Sequence, residues 1–124
     1  MGPFIVNGVK WRVVRVSPSD PSLVDRTGTR TIATTDPETH TIHVSVSVHP
    51  PMLDRVILHE IAHAVTMSYG LLDSLREAVP PQYWVFVEEW AVQLVENYGI
   101  EASNIASELL ERPVCVRGYC HDKS

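Results

Sequence analysis

The sequence predicts an α+β domain in which a small sheet of three or four strands is followed by three helices. Apolar residues alternate with period two up to Val48 and recur at about three and a half residues from Met52 onward, and Pro50-Pro51 separates the two regimes. Size agrees: 124 residues with 44% hydrophobic and 20% charged side chains suit one ordinary domain with a single core. The expected domain spans residues 1–112, and residues 113–124 form a tail.

Val9 to Val16 is rich in β-branched and aromatic residues and follows Asn7-Gly8, a pair that tolerates positive φ, so a strand is expected there. Ser17 to Gly28 contains Pro18, Pro21 and several Asp and Ser residues, which makes it a loop. Arg30 to Thr35 is a second strand, and Asp36-Pro37-Glu38-Thr39 supplies the turn of a hairpin. From Thr41 to Val48 the alternation is strict. Ile42, Val44, Val46 and Val48 point one way, and Thr41, His43, Ser45 and Ser47 the other, so this strand should have one core face and one polar face.

Prolines at the entrance and Gly70 just past the end delimit a helix over about 51–69. A short helical turn is expected between Asp73 and Val79. Another helix runs from about Gln82 to Tyr98 and stops at Gly99, and a last one from about Glu101 to Arg112 stops at Pro113.

Ten Lys plus Arg against fifteen Asp plus Glu leave a net charge of −5, which argues against nucleic acid or an anionic membrane as partner. No apolar run approaches the roughly 20 residues of a bilayer crossing. Met1-Gly2-Pro3-Phe4-Ile5-Val6 lacks a basic stretch followed by a long apolar one, so the expected address is cytoplasmic. The two cysteines, Cys115 and Cys120, are too few for a disulfide scaffold. In a reducing compartment free thiols are expected of them, the other options being a small closed loop or a metal.

The chemistry concentrates in His59-Glu60-Ile61-Ala62-His63. On a helix, imidazoles at i and i+4 project from one face and suit a single Zn2+, with the intervening glutamate placed to take a proton from an activated water. A catalytic zinc takes three protein ligands and keeps one position open. A third histidine six residues after His63 is missing, because position 69 is Tyr, so a carboxylate on a later helix is expected. Val87-Glu88-Glu89-Trp90-Ala91 offers two. A helical wheel puts Trp84, Val87, Ala91, Leu94, Val95 and Tyr98 on the core face, Glu88 at its margin and Glu89 nearly opposite, so Glu88 is the expected ligand. The site read from the sequence is therefore one zinc per chain on His59, His63 and Glu88, with Glu60 as general base.

These motifs resemble the gluzincin clan of zinc metallopeptidases, especially the single-domain minigluzincins and the ImmA/IrrE-like peptidases of phages and mobile elements. The resemblance covers about residues 29–112 and rests on the His59–His63 motif, the strand before it and the Glu88-Glu89-Trp90-Ala91 helix. It implies a zincin-like fold and hydrolysis of a peptide or protein substrate that adds to the 41–48 strand as the rim of the cleft. The chain departs from the ImmA/IrrE-like pattern at Val92, where Asn or Asp is usual, so a hydrogen bond to a ligand histidine is absent or comes from elsewhere.

Tyr83, Tyr98 and Arg112 are candidate oxyanion stabilisers. Cys115, Cys120, His121 and Asp122 are potential metal ligands in the tail, which could fold over the site and make it latent. His40 and His49 are expected to be solvated. Two other functions compete: a non-catalytic zinc-binding regulator of phage or mobile-element origin, and a DNA-linked SprT-like peptidase, which the acidic charge disfavours.

Overall fold

The computed structural model of the chain describes residues 1–117 and 119–120. Asn7 (φ 48°) and Gly8 (φ 77°) make the tight turn that joins β1 (Phe4–Val6) to β2 (Val9–Val16). After a loop containing a 3₁₀ turn at Pro21–Leu23, β3 (Ala33–Asp36) and β4 (Thr41–Ser45) form the expected hairpin. The four strands build one mixed sheet in the order β1-β2-β4-β3, with β2 and β4 parallel and the outer pairs antiparallel. The second strand begins at Ala33, later than expected, because Arg30 forms only an isolated bridge to Val24 within the preceding loop.

That order corrects the expectation that the 41–48 strand is the rim of the cleft. It is interior, bonded to β2 and β3 on its two sides, so it cannot be the rim to which another chain adds; the edge strand is β3. The polar face of the 41–48 strand is partly covered. Thr41 and Ser45 are buried, His43 is half-buried, and the Pro21–Leu23 turn covers this side with the fully buried Leu23. Polar alternation here marks a face that a loop covers at Thr41 and Ser45 and leaves partly open at His43 and Ser47. The strand ends at Ser45, Val46 turns out to solvent, and Val48 returns to the core.

The core lies between the sheet and α1 (Met52–Ser68). Trp11, Val13, Ala33, Ile42, Val44 and Val48 meet Ala64 and the flanking Leu53, Val56, Ile57 and Ile61. Trp11 Nε1 donates to Ser68 Oγ at 2.8 Å, which ties the end of α1 to β2 while satisfying a buried indole. Gly70, at φ 66°, turns the chain into α2 (Leu71–Ala78). α3 (Trp84–Leu94) packs against α1 and α2 and passes through a π-helical turn, Val95–Gly99, into α4 (Ile100–Leu110). The backbone stays right-handed helical at Val95, Gly99 (φ −63°) and Ile100, so Gly99 is no stop signal.

In the tail, β5 (Cys115–Val116) and β6 (Tyr119–Cys120) form a two-stranded ribbon in which Cys115 and Cys120 are paired positions. Cys115 is disulfide-bonded, which corrects the expectation of a free thiol at that position. Val114 N–H donates to Ser107 Oγ at 2.9 Å, and the Arg117 guanidinium lies 4.9 Å from the ring centre of Tyr69. Among the described residues no helix is long and apolar enough to cross a membrane.

Candidate metal centre

α1 turns its inner side to the sheet and its opposite side to α3, and the His-Glu-x-x-His residues lie on the second. Their i, i+4 spacing sets the His59 and His63 rings 5.0 Å apart. A carboxylate of α3 joins them: Glu89 Oε1 is 3.1 Å from His63 Nε2, and Glu89 Oε2 is 3.4 Å from His59 Nε2. One ligand atom from each of His59, His63 and Glu89 lies within 4.8 Å of the others, close enough for the three to hold a single metal ion. Two imidazole nitrogens and one carboxylate oxygen are also a donor set that zinc accepts.

The residue expected as third ligand, Glu88, sits elsewhere. Its Oε1 is 3.1 Å from His63 Nδ1, on the far side of that ring, and its Oε2 accepts from Arg26 Nη2 at 2.7 Å. Glu88 is indeed buried, at 5% exposure, whereas 37% of the Glu89 side chain is open to the cleft. The wheel failed because α3 is apolar on nearly every side: Leu94, Val95 and Tyr98, assigned to the core, are exposed, while Glu88 and Val92 face inward. Burial therefore selected the carboxylate that supports a histidine. The carboxylate that meets both Nε2 atoms is the more exposed one.

His59 is held in the same way. Its Nδ1 lies 2.9 Å from Glu96 Oε1, on the π-helical turn, and Glu96 is met in turn by Arg55 at 3.3 Å. Two chains thus run arginine to glutamate to imidazole, Arg26–Glu88–His63 and Arg55–Glu96–His59, each ending on Nδ1. Nδ1–H donation to a carboxylate leaves the Nε2 lone pair for a metal and fixes the ring plane. Glu96 supplies the hydrogen bond that the departure at Val92 left open. The sequence held no cue to it, because helical geometry alone does not say that a turn of π-helix rotates residue 96 towards α1.

The electrostatics follow from these contacts. Burial alone would lower the His63 pKa, but hydrogen bonds to Glu88 and Glu89 and the charges of Glu89 and Glu60 raise it to about 9. Hydrogen bonding to Glu89 likewise raises His59, against its burial. Glu89 is lowered by its bonds to His59 and His63; burial would raise Glu88, but His63 and Arg26 bring it below the usual carboxylate range. Both histidines are thus shifted toward keeping their protons beside the carboxylates, and a metal ion held there would have to displace them.

Glu60 is buried on the sheet side of the centre, where its Oε2 accepts a 2.5 Å hydrogen bond from Thr35 Oγ1 of β3. A cleft of about 590 Å³ opens here, bounded by β3, the 24–30 loop, α1 and α3. His59, Glu60, His63, Glu88 and Glu89 all line it, as do Arg26, Asp36 and His43. Tyr83, Tyr98 and Arg112 do not line it: both tyrosines are exposed, and Arg112 donates to the adjacent Pro113 carbonyl. The described residues of the tail do not line it either, and His121 and Asp122 lie outside the described residues. His40 and His49 are exposed. No protein-family model, no curated protein and no solved structure matches this chain.

Proposed function

We propose that the chain is a zinc-dependent peptidase of the gluzincin kind, binding one zinc through His59, His63 and Glu89 and hydrolysing a peptide bond with Glu60 as general base. The observation that carries this reading is the convergence of two Nε2 atoms and one carboxylate beside Glu60, in a cleft that runs along an open sheet edge. When bound, zinc lowers the pKa of a water towards ~7 and polarises a carbonyl.

The remaining work falls to the chain. Glu60 accepts the proton of the attacking water and passes it to the leaving amine, and Thr35 orients the carboxylate for both transfers. Glu88 and Glu96 keep the two imidazoles in the tautomer that presents Nε2. An extended substrate pairs with β3, in the antiparallel or parallel sense that an edge strand allows. In the observed register Ile32 is bonded to Ser45, which leaves the N–H and C=O of Ala33 and Thr35 facing the free side, next to Glu60.

A non-catalytic zinc-binding regulator is the second reading, and it draws on the same Thr35 hydrogen bond, which also suits a purely structural glutamate. One comparison separates the two. Zinc content and cleavage of a mixed peptide library are measured for the wild type and for Glu60→Gln. Equal zinc in both, with cleavage lost by at least ~100-fold in the variant, is the expected result. Zinc bound in both with no cleavage by either selects the regulator.

A further inference from the structure

We infer that Arg26 is a substrate-binding residue that recognises a carboxylate on the peptide, one or two residues from the bond that is cut. The inference rests on the peptidase reading of the cleft. Among the described residues Arg26 is the only Lys or Arg that lines this cleft, and 47% of its side chain is exposed. Only Nη2 is engaged, with Glu88 at 2.7 Å; among the described residues Nε and Nη1 make no hydrogen bond. A guanidinium carries five donors in a fixed fork, so one edge can hold Glu88 while another presents two parallel N–H groups to a second carboxylate.

The residue is held in place before any substrate arrives. Asp25 Oδ1 accepts from Thr27 N–H, Thr27 Oγ1 and Thr29 N–H at 2.6–3.0 Å, and Asp25 N–H donates to the Thr29 carbonyl at 2.9 Å. Gly28, at φ 84°, completes the turn, and the Val24–Arg30 bridge closes its base. The opposite end of the side chain is anchored on α3 through Glu88. Ordering costs are therefore met within the fold, which favours tight recognition.

Position separates this role from oxyanion stabilisation. Arg26 reaches Glu88, and Glu88 reaches Nδ1 of His63, so a carboxylate and the width of an imidazole ring separate the guanidinium from the Nε2 atoms where a scissile carbonyl is polarised. Oxyanion donors stand within about 3 Å of the developing charge. One or two residues of extended chain, at ~3.3 Å each, span the length of that contact chain. The chemistry required is a carboxylate, from the free C-terminus of the substrate or from an acidic side chain.

The test uses the zinc-loaded 124-residue chain carrying Glu60→Gln and three short peptides of one parent sequence: with a free C-terminal carboxylate, with a C-terminal amide, and with the amide plus Glu at the penultimate position. Binding is read by calorimetry. The carboxylate peptide, the Glu peptide or both should bind roughly tenfold more tightly than the plain amide, and Arg26→Gln in the same background should bring that ratio close to one. Which of the two gains identifies the source. Because the ratio is taken within one protein, a change in zinc affinity caused by releasing Glu88 cancels. Arg26→Lys, which keeps a charge against Glu88 without the fork, should give an intermediate ratio and serves if Arg26→Gln does not fold. A ratio near one with Arg26 intact, a ratio that survives both substitutions, or no binding of any peptide overturns the inference. Peptide-library cleavage by the wild type, run alongside, shows whether the peptidase reading falls with it.

Discussion

Glu88 and Glu89 are sequence neighbours with opposite environments, and the proposed roles follow from that difference. Glu88 lies between Arg26 and the back of His63; Glu89 spans the front of both rings. Deleting a carboxylate that contacts the metal should abolish the site, whereas deleting one that only orients a histidine should weaken it by ~10–100-fold. Glu89→Ala is therefore expected to come off a column without stoichiometric zinc. Glu88→Ala and Glu96→Ala should retain a weaker site, measurable by competition against a chromogenic chelator. Stoichiometric, tightly bound zinc in Glu89→Ala, together with its loss in Glu88→Ala, would return the ligand role to Glu88.

At the scale of elements, two glycines that look alike in sequence behave differently. Both Gly70 and Gly99 follow an apolar helical stretch, and both read as stop signals. Gly70 is one: its φ of 66° is a conformation that a Cβ strains, although the nearest atom to that Cβ is 4.0 Å away. Gly99 sits inside a continuous helical backbone at φ −63°, and its added Cβ would meet Val95 at an ordinary 3.6 Å. Gly70→Ala should thus cost about 1 kcal/mol, and Gly99→Ala should stabilise the chain by about 0.5–1 kcal/mol by restricting the unfolded state. Urea titrations of the two variants measure both signs, and destabilisation by Gly99→Ala would mean that the helix breaks at residue 99. The π-helical turn that Gly99 closes is also what brings Glu96 to His59.

For the whole molecule, stability, protons and metal are linked through α1 and α3. In the metal-free protein His63 carries a pKa raised from 6.5 to about 9 by its carboxylate partners. The stabilisation from that protonated ring is complete below pH 6.5 and is lost as pH rises through about 9. On the proposed reading zinc would displace the same proton, so its apparent affinity should rise over this interval. Melting curves from pH 6.5 to 9 should show the midpoint of the metal-free chain falling and the zinc-induced increase growing. The increase corresponds to about 4 kcal/mol when free zinc is 1,000 times its Kd. A zinc-induced shift that stays constant with pH would show that no proton leaves the site when zinc binds.

What the sequence by itself determined is local. The change of period at Pro50-Pro51 separates sheet from helices, Asn7-Gly8 marks a turn before a strand, Asp36-Pro37 marks a hairpin, and the i, i+4 histidines share one face of a helix whatever surrounds it. These follow from backbone geometry within a few residues. Pairing order, helix rotation and loop placement depend on contacts between distant segments, and only the tertiary structure decided them. It put β4 inside the sheet and β3 at the edge, because β2 pairs in parallel with β4. It turned α3 so that Glu89 meets the histidines, which no apolar stripe on that helix could indicate. It also carried Arg26 and Thr35, ordinary polar residues of a loop and a strand, to Glu88 and Glu60 across 62 and 25 positions of chain. A charge–carboxylate or hydroxyl–carboxylate contact leaves no periodic trace in either segment, so it becomes visible only when the fold has closed the distance between them.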